Sequence, residues 1–296
     1  MTDASGTLWF DVHERAWSGR VLEALEVDAA WLPEVLESPE AAGAGDQGAG
    51  AVGVGAVVPS VQSVVLGTSG VVLAAHDDYI AYPHGEVQAS AHAVPGRWFA
   101  MGVILSAAGS LRWLRDVLDA PYDVLLAEAE RCPAGAEGLV FLPYLTGERT
   151  PHFDPEARGA FVGLEVRHGR GALVRAVLEG VAYALRDAAD LVDCGDVRVA
   201  RVSGGGARSD LWLRIVASVL QTPLERVAVD EGAAYGAALL GGVRAGVWGS
   251  VDEAVEACVR VRGTVDPVDD WIEAYETGRE RFRALYPALF DVINRK

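Results

Sequence analysis

The chain has 296 residues, 51% of them hydrophobic, with 42 Asp and Glu against 25 Lys and Arg, a formal net charge of −17. That length supplies core for one large domain or two ordinary ones. The charge argues against a nucleic-acid backbone or an anionic membrane surface as partner, so a polyanion such as a nucleotide would need a local cradle.

Residues 1–40 combine a short apolar piece, Leu8 to Phe10, with a helical pattern at Val21, Leu22, Leu25 and Val27. This is too little material for a domain and must pack on something. The run GAGDQGAGAVGVG, Gly43 to Gly55, follows. Each glycine costs about 1 kcal/mol against alanine inside a helix, which predicts a non-helical segment that a ligand can approach closely. Asp46 is the only acid between Glu40 and Asp77. Set among residues with little side-chain bulk, it is well placed to face a bound hydroxyl and is the leading candidate for a general base.

From Val61 the pattern changes. VQSVVL and VVLAA read as strands joined by the turn GTSG, and ASAHAV and RWFAMGV as a second hairpin turning at Pro95 and Gly96. A helix over 106–118 places Leu111, Leu114, Val117 and Leu118 on one face and leaves Arg112 outward. A second helix over 122–131, a buried strand in GLVFLPYL, a polar loop over 146–159 and a short strand AFVGL come next. A long helix over 170–192, a strand over 197–202, the turn SGGGARS, a helix from Ser209, the strand PLERVAV and the helix EGAAYGAALLGGVRAG complete an alternating series. Residues 251–296 show two helical patterns. The order predicts the α/β class, a mixed sheet covered by helices.

Cys132, Cys194 and Cys258 lie far apart in no metal-ligand spacing and read as reduced thiols of a cytoplasmic protein. MTDASGTLWFDVHERAW holds no basic segment followed by an apolar one, and the apolar region 41–75 is too broken for a membrane span.

Glycine turns carry the chemistry. The Gly43–Gly55 run satisfies GxGxxG, but LESPE rather than a strand precedes it and no acid follows until Asp77, so a dinucleotide site does not fit. In LGTSG, backbone amides and the hydroxyls of Thr68 and Ser69 can hold phosphate oxygens, although a plain hairpin turn explains them too. SGGGARS, between strand and helix, lets a flat ligand reach the backbone beside a helix N-terminus that favours negative charge; a flexible connection is the alternative.

Together these segments resemble the FGGY carbohydrate kinases, and within them the xylulokinase-like members. GAGDQGAGAVGVG is similar to the segment holding the family's catalytic aspartate, which matches Asp46. VLGTSGV resembles a phosphate-binding motif, giving Gly67, Thr68 and Ser69. VSGGGARSDLW resembles the adenosine-binding motif, giving Gly204, Gly205, Gly206 and Ala207. FLPYLTGERTPH, RAVLEGVAYALRD and EGAAYGAALLGG extend the likeness along the chain. The resemblance implies an actin-like, ribonuclease-H-type α/β fold, ATP and Mg²⁺ as cofactors, and phosphoryl transfer to a sugar hydroxyl, a pentulose such as D-xylulose by family expectation.

Nothing here matches the family's opening DxGT-type phosphate motif, and TDASGTLWFDV resembles an internal segment of the first domain. The expected division is therefore an end portion of the N-terminal domain over 1–57, the C-terminal domain over 58–250 and a helical extension over 251–296. A truncated first domain implies a homodimer or a separately encoded N-terminal domain as partner, and the rival reading of a catalytically inactive nucleotide-binding remnant or half of a split kinase. An orphaned segment should expose Leu8, Trp9, Phe10 and Trp17.

Smaller candidates are read more plainly. His92, His152 and His168 are hydrogen-bonded or solvated histidines before they are ligand contacts. Glu148 and Arg149 form an ion pair that fixes their loop. Trp98 and Trp113 are core aromatics. Glu179 and Arg186 sit on a solvated helix face or near nucleotide.

Overall fold

In the computed structural model, which describes residues 1–192, 195–229 and 232–293, short elements come first. They are α1 (Thr2–Ser5), β1 (Phe10–Asp11), β2 (Ala16–Trp17), α2 (Gly19–Ala24) and α3 (Ser38–Ala41). This opening segment packs on the edge of the main sheet. Ser5 Oγ accepts the Ala91 amide at 3.1 Å, the Trp98 indole donates to Val12 O at 2.8 Å, and Arg15 bridges Arg97 O and Glu37. Of the expected apolar patch, Leu8 is exposed, Trp9 and Trp17 are half-buried, and Phe10 is buried with its ring edge-on to Trp17.

The glycine run is a helix after all. α4 (Asp46–Val54) is anchored along its length by a later helix, and its glycines are what permit the approach. The strands follow as β3 (Val61–Leu66), β4 (Gly70–His76), β5 (Gln88–Ala91) and β6 (Trp98–Ile104), then α5 (Ala108–Leu118), α6 (Tyr122–Glu130), β7 (Val140–Leu142) and β8 (Ala160–Val162). The remainder is α7 (Arg170–Leu191), β9 (Val199–Ser203), α8 (Asp210–Leu220), β10 (Leu224–Val227), α9 (Gly232–Arg244), α10 (Val251–Cys258), β11 (Val261–Val265) and α11 (Asp269–Ile293). β11, not expected from the helical patterns of the C-terminal region, adds antiparallel to β10. Cys194 and the expected start of α9 at Glu231 lie outside the described residues.

The seven-stranded sheet has the order β11-β10-β9-β3-β4-β6-β5. β3, β9 and β10 run parallel, and the flanking strands antiparallel. Strand alternation splits the core. Val64, Leu66, Val72 and Ala74 face the layer of α5, α6, α7 and α8, whereas Val71, Leu73, Phe99 and Met101 face α4. α9 and α10 complete the second layer. The result is a mixed sheet covered by helices on both faces, the α/β class with an actin-like ATPase fold. Among the described residues no helix is long and apolar enough to cross a membrane.

Several side chains depart from expectation. Val117 is exposed rather than on the buried face of α5, and Trp113 is 39% exposed, stacked over Phe141 and Phe161 rather than enclosed. Glu179 is buried, its carboxylate 2.7 Å from Arg175, because α7 runs through the centre of the core and has no solvated face there. Arg186 caps α8 instead, donating to Val219 O and Leu220 O at 3.0 and 2.9 Å.

Candidate active site

Parallel pairing sets the geometry. Val65 of β3 lies opposite Ser203 of β9, so the turns that leave these two strands emerge side by side. The turns touch at their backbones. Gly204 has φ +89°, and a Cβ there would lie 2.8 Å from the Leu66 carbonyl carbon and 3.0 Å from Gly67 N. A side chain is excluded both by that contact and by the left-handed φ.

Between the turns is a pocket of about 500 Å³ lined by Gly67, Thr68, Gly205 and Gly206. Its walls are apolar, with Leu66, Leu111, Tyr122, Leu126 and Trp212, and its charged groups are Arg112 and Arg208. Trp212 is fixed by its indole N–H, which donates to Leu178 O at 3.1 Å. Ser209 caps α8, accepting from the Trp212 amide at 3.2 Å. The arrangement suits a flat apolar ring attached to an anionic tail.

The turn Gly67–Ser69 is held from behind. Ala107 and Gly109 donate their amides to Thr68 O at 2.9 and 3.1 Å, and Ala108 donates to Gly67 O at 2.8 Å. The first amides of α5 are thus spent on the turn's carbonyls, while the turn's own amides donate to nothing among the described residues and can serve an anion.

Of the expected site residues, the structure brings Gly67, Thr68, Gly205 and Gly206 to one pocket, with Gly204 at the contact between the turns. Ser69 and Ala207 adjoin it without lining it; Ala207 O accepts from Arg226 at 3.1 Å. Asp46 lies outside this pocket, in the first turn of α4, exposed, its Oδ1 accepting the Gln47 amide at 2.9 Å. Thr2 anchors that turn through a 2.8 Å hydrogen bond from Gly45 N. The C-terminal carbonyls of α4, Val54 O and Gly55 O, accept from Arg201 at 2.9 and 3.0 Å. Arg201 belongs to β9, the strand that ends at Ser203 just before Gly204, so one strand contacts both α4 and the glycine turn.

The histidines are structural. His92 is fully buried, its Nδ1 accepting the Val94 amide at 3.0 Å, so Nε2 carries the proton and faces Ala56 O at 3.3 Å. Burial pushes its pKa down to about 4. His152 stacks on Tyr286 at 3.6 Å between centroids, with Tyr144 Oη 3.1 Å from its Nε2, and burial lowers it to about 4 as well. His168 Nδ1 accepts the Glu165 amide. Glu148 makes no ion pair with Arg149, which instead reaches Gln88 at 3.2 Å. Its Oε1 accepts the amides of Leu105 and Arg149 at 3.0 and 2.8 Å.

Sequence reasoning placed Arg112 on an outward face and missed that this face looks into the pocket; Arg208 stood inside the motif unremarked. Neither has an acidic partner among the described residues. Arg208 could have been found from one signal, a basic residue inside a glycine turn of a strongly acidic chain; Arg112, on a helix far from both turns in sequence, carries no such signal.

Residues 62–245 match the model for the FGGY family of carbohydrate kinases, C-terminal domain. The chain belongs to that family. Residues 1–74 match the family's N-terminal domain model. The xylulose kinase of Escherichia coli (strain K12) is 39% identical over 99% of this chain and 65% of its own length. That of Lactococcus lactis subsp. lactis is 33% identical over 88% and 57%. The crystal structure of a xyloylose kinase from Brucella ovis superposes with a TM-score of 0.90 at 37% identity, covering 99% of this chain and 65% of that one. The chain therefore spans somewhat less than two thirds of the length of these relatives.

Proposed function

We propose that the chain serves ATP-dependent phosphorylation of a sugar hydroxyl, with a pentulose such as D-xylulose as substrate. The observation that carries this reading is the pocket in which the turn Gly67–Thr68 meets the turn Gly205–Gly206 between an apolar slot and two arginines, Arg112 and Arg208. Within the family frame, residues 1–57 read as part of the N-terminal domain and 58–250 as the C-terminal domain, with 251–296 continuing that domain by adding α10, β11 and α11 rather than standing off as a purely helical extension.

The residues present fit a nucleotide. Gly204 and Gly206 leave the backbone bare where a Cβ would collide with Leu66, and the slot between Leu111, Tyr122 and Trp212 is apolar enough for a base. Gly205 has no heavy atom within 4 Å of where its Cβ would stand, so a ligand can reach its backbone. The turn amides of Gly67, Thr68 and Ser69 would hold phosphate oxygens, with Arg112 and Arg208 adding charge. Bound ATP with Mg²⁺ supplies the phosphoryl group and the charge neutralisation its transfer needs. The described residues contain no cluster of three or more His, Cys, Asp or Glu side chains, so the metal would arrive on the nucleotide's phosphates. Asp46 would accept the proton of the attacking hydroxyl, as a carboxylate with an open face can.

A second reading is favoured by one observation, the span of about 65% of the E. coli relative. In it the chain binds nucleotide and works with a second copy or with a separately encoded N-terminal domain. ADP release from MgATP, with and without D-xylulose, beside Asp46→Asn, separates the two. Sugar-dependent turnover abolished in the variant supports a self-sufficient kinase. Turnover no higher than in the variant, with ADP still bound, sinks that reading and leaves the nucleotide-binding partner.

A further inference from the structure

A buried carboxyl without a cation calls for an explanation, and Glu148 is one. It is 1% exposed, and among the described residues it has no ion pair and its Oε2 has no hydrogen-bond partner. Burial pushes its pKa up to about 8 against the two amides that pull it down, so near neutrality the group is mostly the neutral acid. It therefore acts through hydrogen bonding rather than charge.

What it bonds is informative. Oε1 accepts the amide of Leu105, the residue directly after β6. The next residue, Ser106, meets Thr146 hydroxyl to hydroxyl at 3.1 Å. The three after that, Ala107, Ala108 and Gly109, donate to the carbonyls of Thr68 and Gly67. The fit is tight: a Cβ on Gly109 would lie 2.9 Å from Thr68 O. A continuous hydrogen-bonded path thus runs from the polar loop, through 105–109, into the turn Gly67–Ser69.

We propose that Glu148 is the positioning residue of the phosphate-binding turn: its carboxyl oxygen holds Leu105 so that the first amides of α5 keep Gly67 and Thr68 with their own amides turned toward the nucleotide's phosphates. The proposal rests on the reading of this pocket as a nucleotide site. It assigns the loop TGERTP a task distinct from lining the cleft, and explains why an acid is buried there without a countercharge. An amide side chain at this position keeps the acceptor oxygen; a methyl group does not.

The test is calorimetric binding of MgADP and of adenosine to the wild-type chain and to Glu148→Gln, Glu148→Ala and Glu148→Asp. Losing one hydrogen bond that orders the turn is expected to weaken MgADP binding about tenfold in the alanine variant. Adenosine, which has no phosphate to report the turn, should stay within about twofold. The glutamine variant should bind both ligands as wild type does. If the alanine variant does not fold, the aspartate variant, one methylene short of both amides, should show the same selective loss. Equal weakening of MgADP and adenosine, or no weakening of either, overturns the positioning role while leaving the nucleotide site intact. Failure of the wild-type chain to bind either ligand overturns the site reading, and the proposal with it.

Discussion

Gly236 of α9 lies so close to Ala49 of α4 that a Cβ on Gly236 would sit 1.8 Å from the Ala49 carbonyl oxygen. The reverse contact is as tight: a Cβ on Gly53 would lie 1.9 Å from Gly232 O. The two helices meet backbone to backbone, which fixes the axis of α4 and so the place of Asp46 at its first turn. Gly236→Ala is expected to destabilise the fold by about 1–3 kcal/mol or more, because the obstacle is backbone and cannot rotate away. On the proposed function, sugar-dependent turnover should fall further than MgADP binding, since the contact bears directly on α4 and not on the turns at Gly67 and Gly205. Urea unfolding, MgADP titration and sugar-dependent ADP release by the variant check these; an unchanged unfolding midpoint would contradict the contact.

Arg112 and Arg208 yield a different prediction. Each stands at the pocket without an acidic partner among the described residues, in a chain of net charge −17. Arg112→Ala and Arg208→Ala should each weaken MgADP binding by about three- to tenfold, the range of an exposed charge-assisted contact. The loss should shrink as salt is raised from 50 to 500 mM, on the order of a Debye length falling from 14 to 4 Å. Adenosine binding should barely change. A salt-independent loss would point to packing by the arginine stems instead.

How much of this was legible in the sequence follows from the range of each interaction. The β-branched and aromatic residues of β3, β4 and β6 announced these strands because strand pairing rewards them locally. The adjacency of Gly67 and Gly205 was not written in either turn. It arises from the parallel pairing of Val65 with Ser203. The helix at Asp46–Val54 was misread because its glycines disfavour helix in isolation, and what reverses this is the partner helix α9, far along the chain. β11 was hidden for a similar reason: VRGTV is a weak strand that exists by pairing with β10. The ion pair expected for Glu148 and Arg149 failed because neighbours in sequence point different ways in this loop, one into backbone amides and the other to Gln88.

The buried pair Arg175–Glu179 is predicted to be costly to break. Both side chains are at most 2% exposed, Glu179 also accepts the Gly135 amide at 3.0 Å, and Tyr275 Oη accepts from Arg175. Arg175→Met leaves the Glu179 carboxyl without its cation in the core and should cost about 3–5 kcal/mol. The double variant Arg175→Met, Glu179→Leu should recover much of that loss. A double variant as unstable as the single one would show that shape rather than charge governs the site.

Glu148 sets the dependence of stability on pH. Its carboxyl titrates near its ordinary value of 4.5 when unfolded and at about 8 in the fold, because burial disfavours the charge. Between those limits the native state holds the extra proton, so stability falls as pH rises from 4.5 to 8, by at most about 1.4 kcal/mol per unit for this group. His92 works the other way. Its pKa is 6.5 when unfolded and about 4 when buried, so its contribution is complete above 6.5 and is lost as pH falls toward 4. Glu148→Gln removes the first dependence and leaves the second. The melting temperature of this variant relative to wild type should therefore rise steadily from pH 5 to pH 8: below pH 6 the loss at His92 is offset in wild type by the proton that Glu148 takes up, and is not offset in the variant. Thermal melts in a constant-ionic-strength buffer series measure this directly. A difference between variant and wild type that is the same at pH 5 and pH 8 would mean that Glu148 does not carry its proton into the native state.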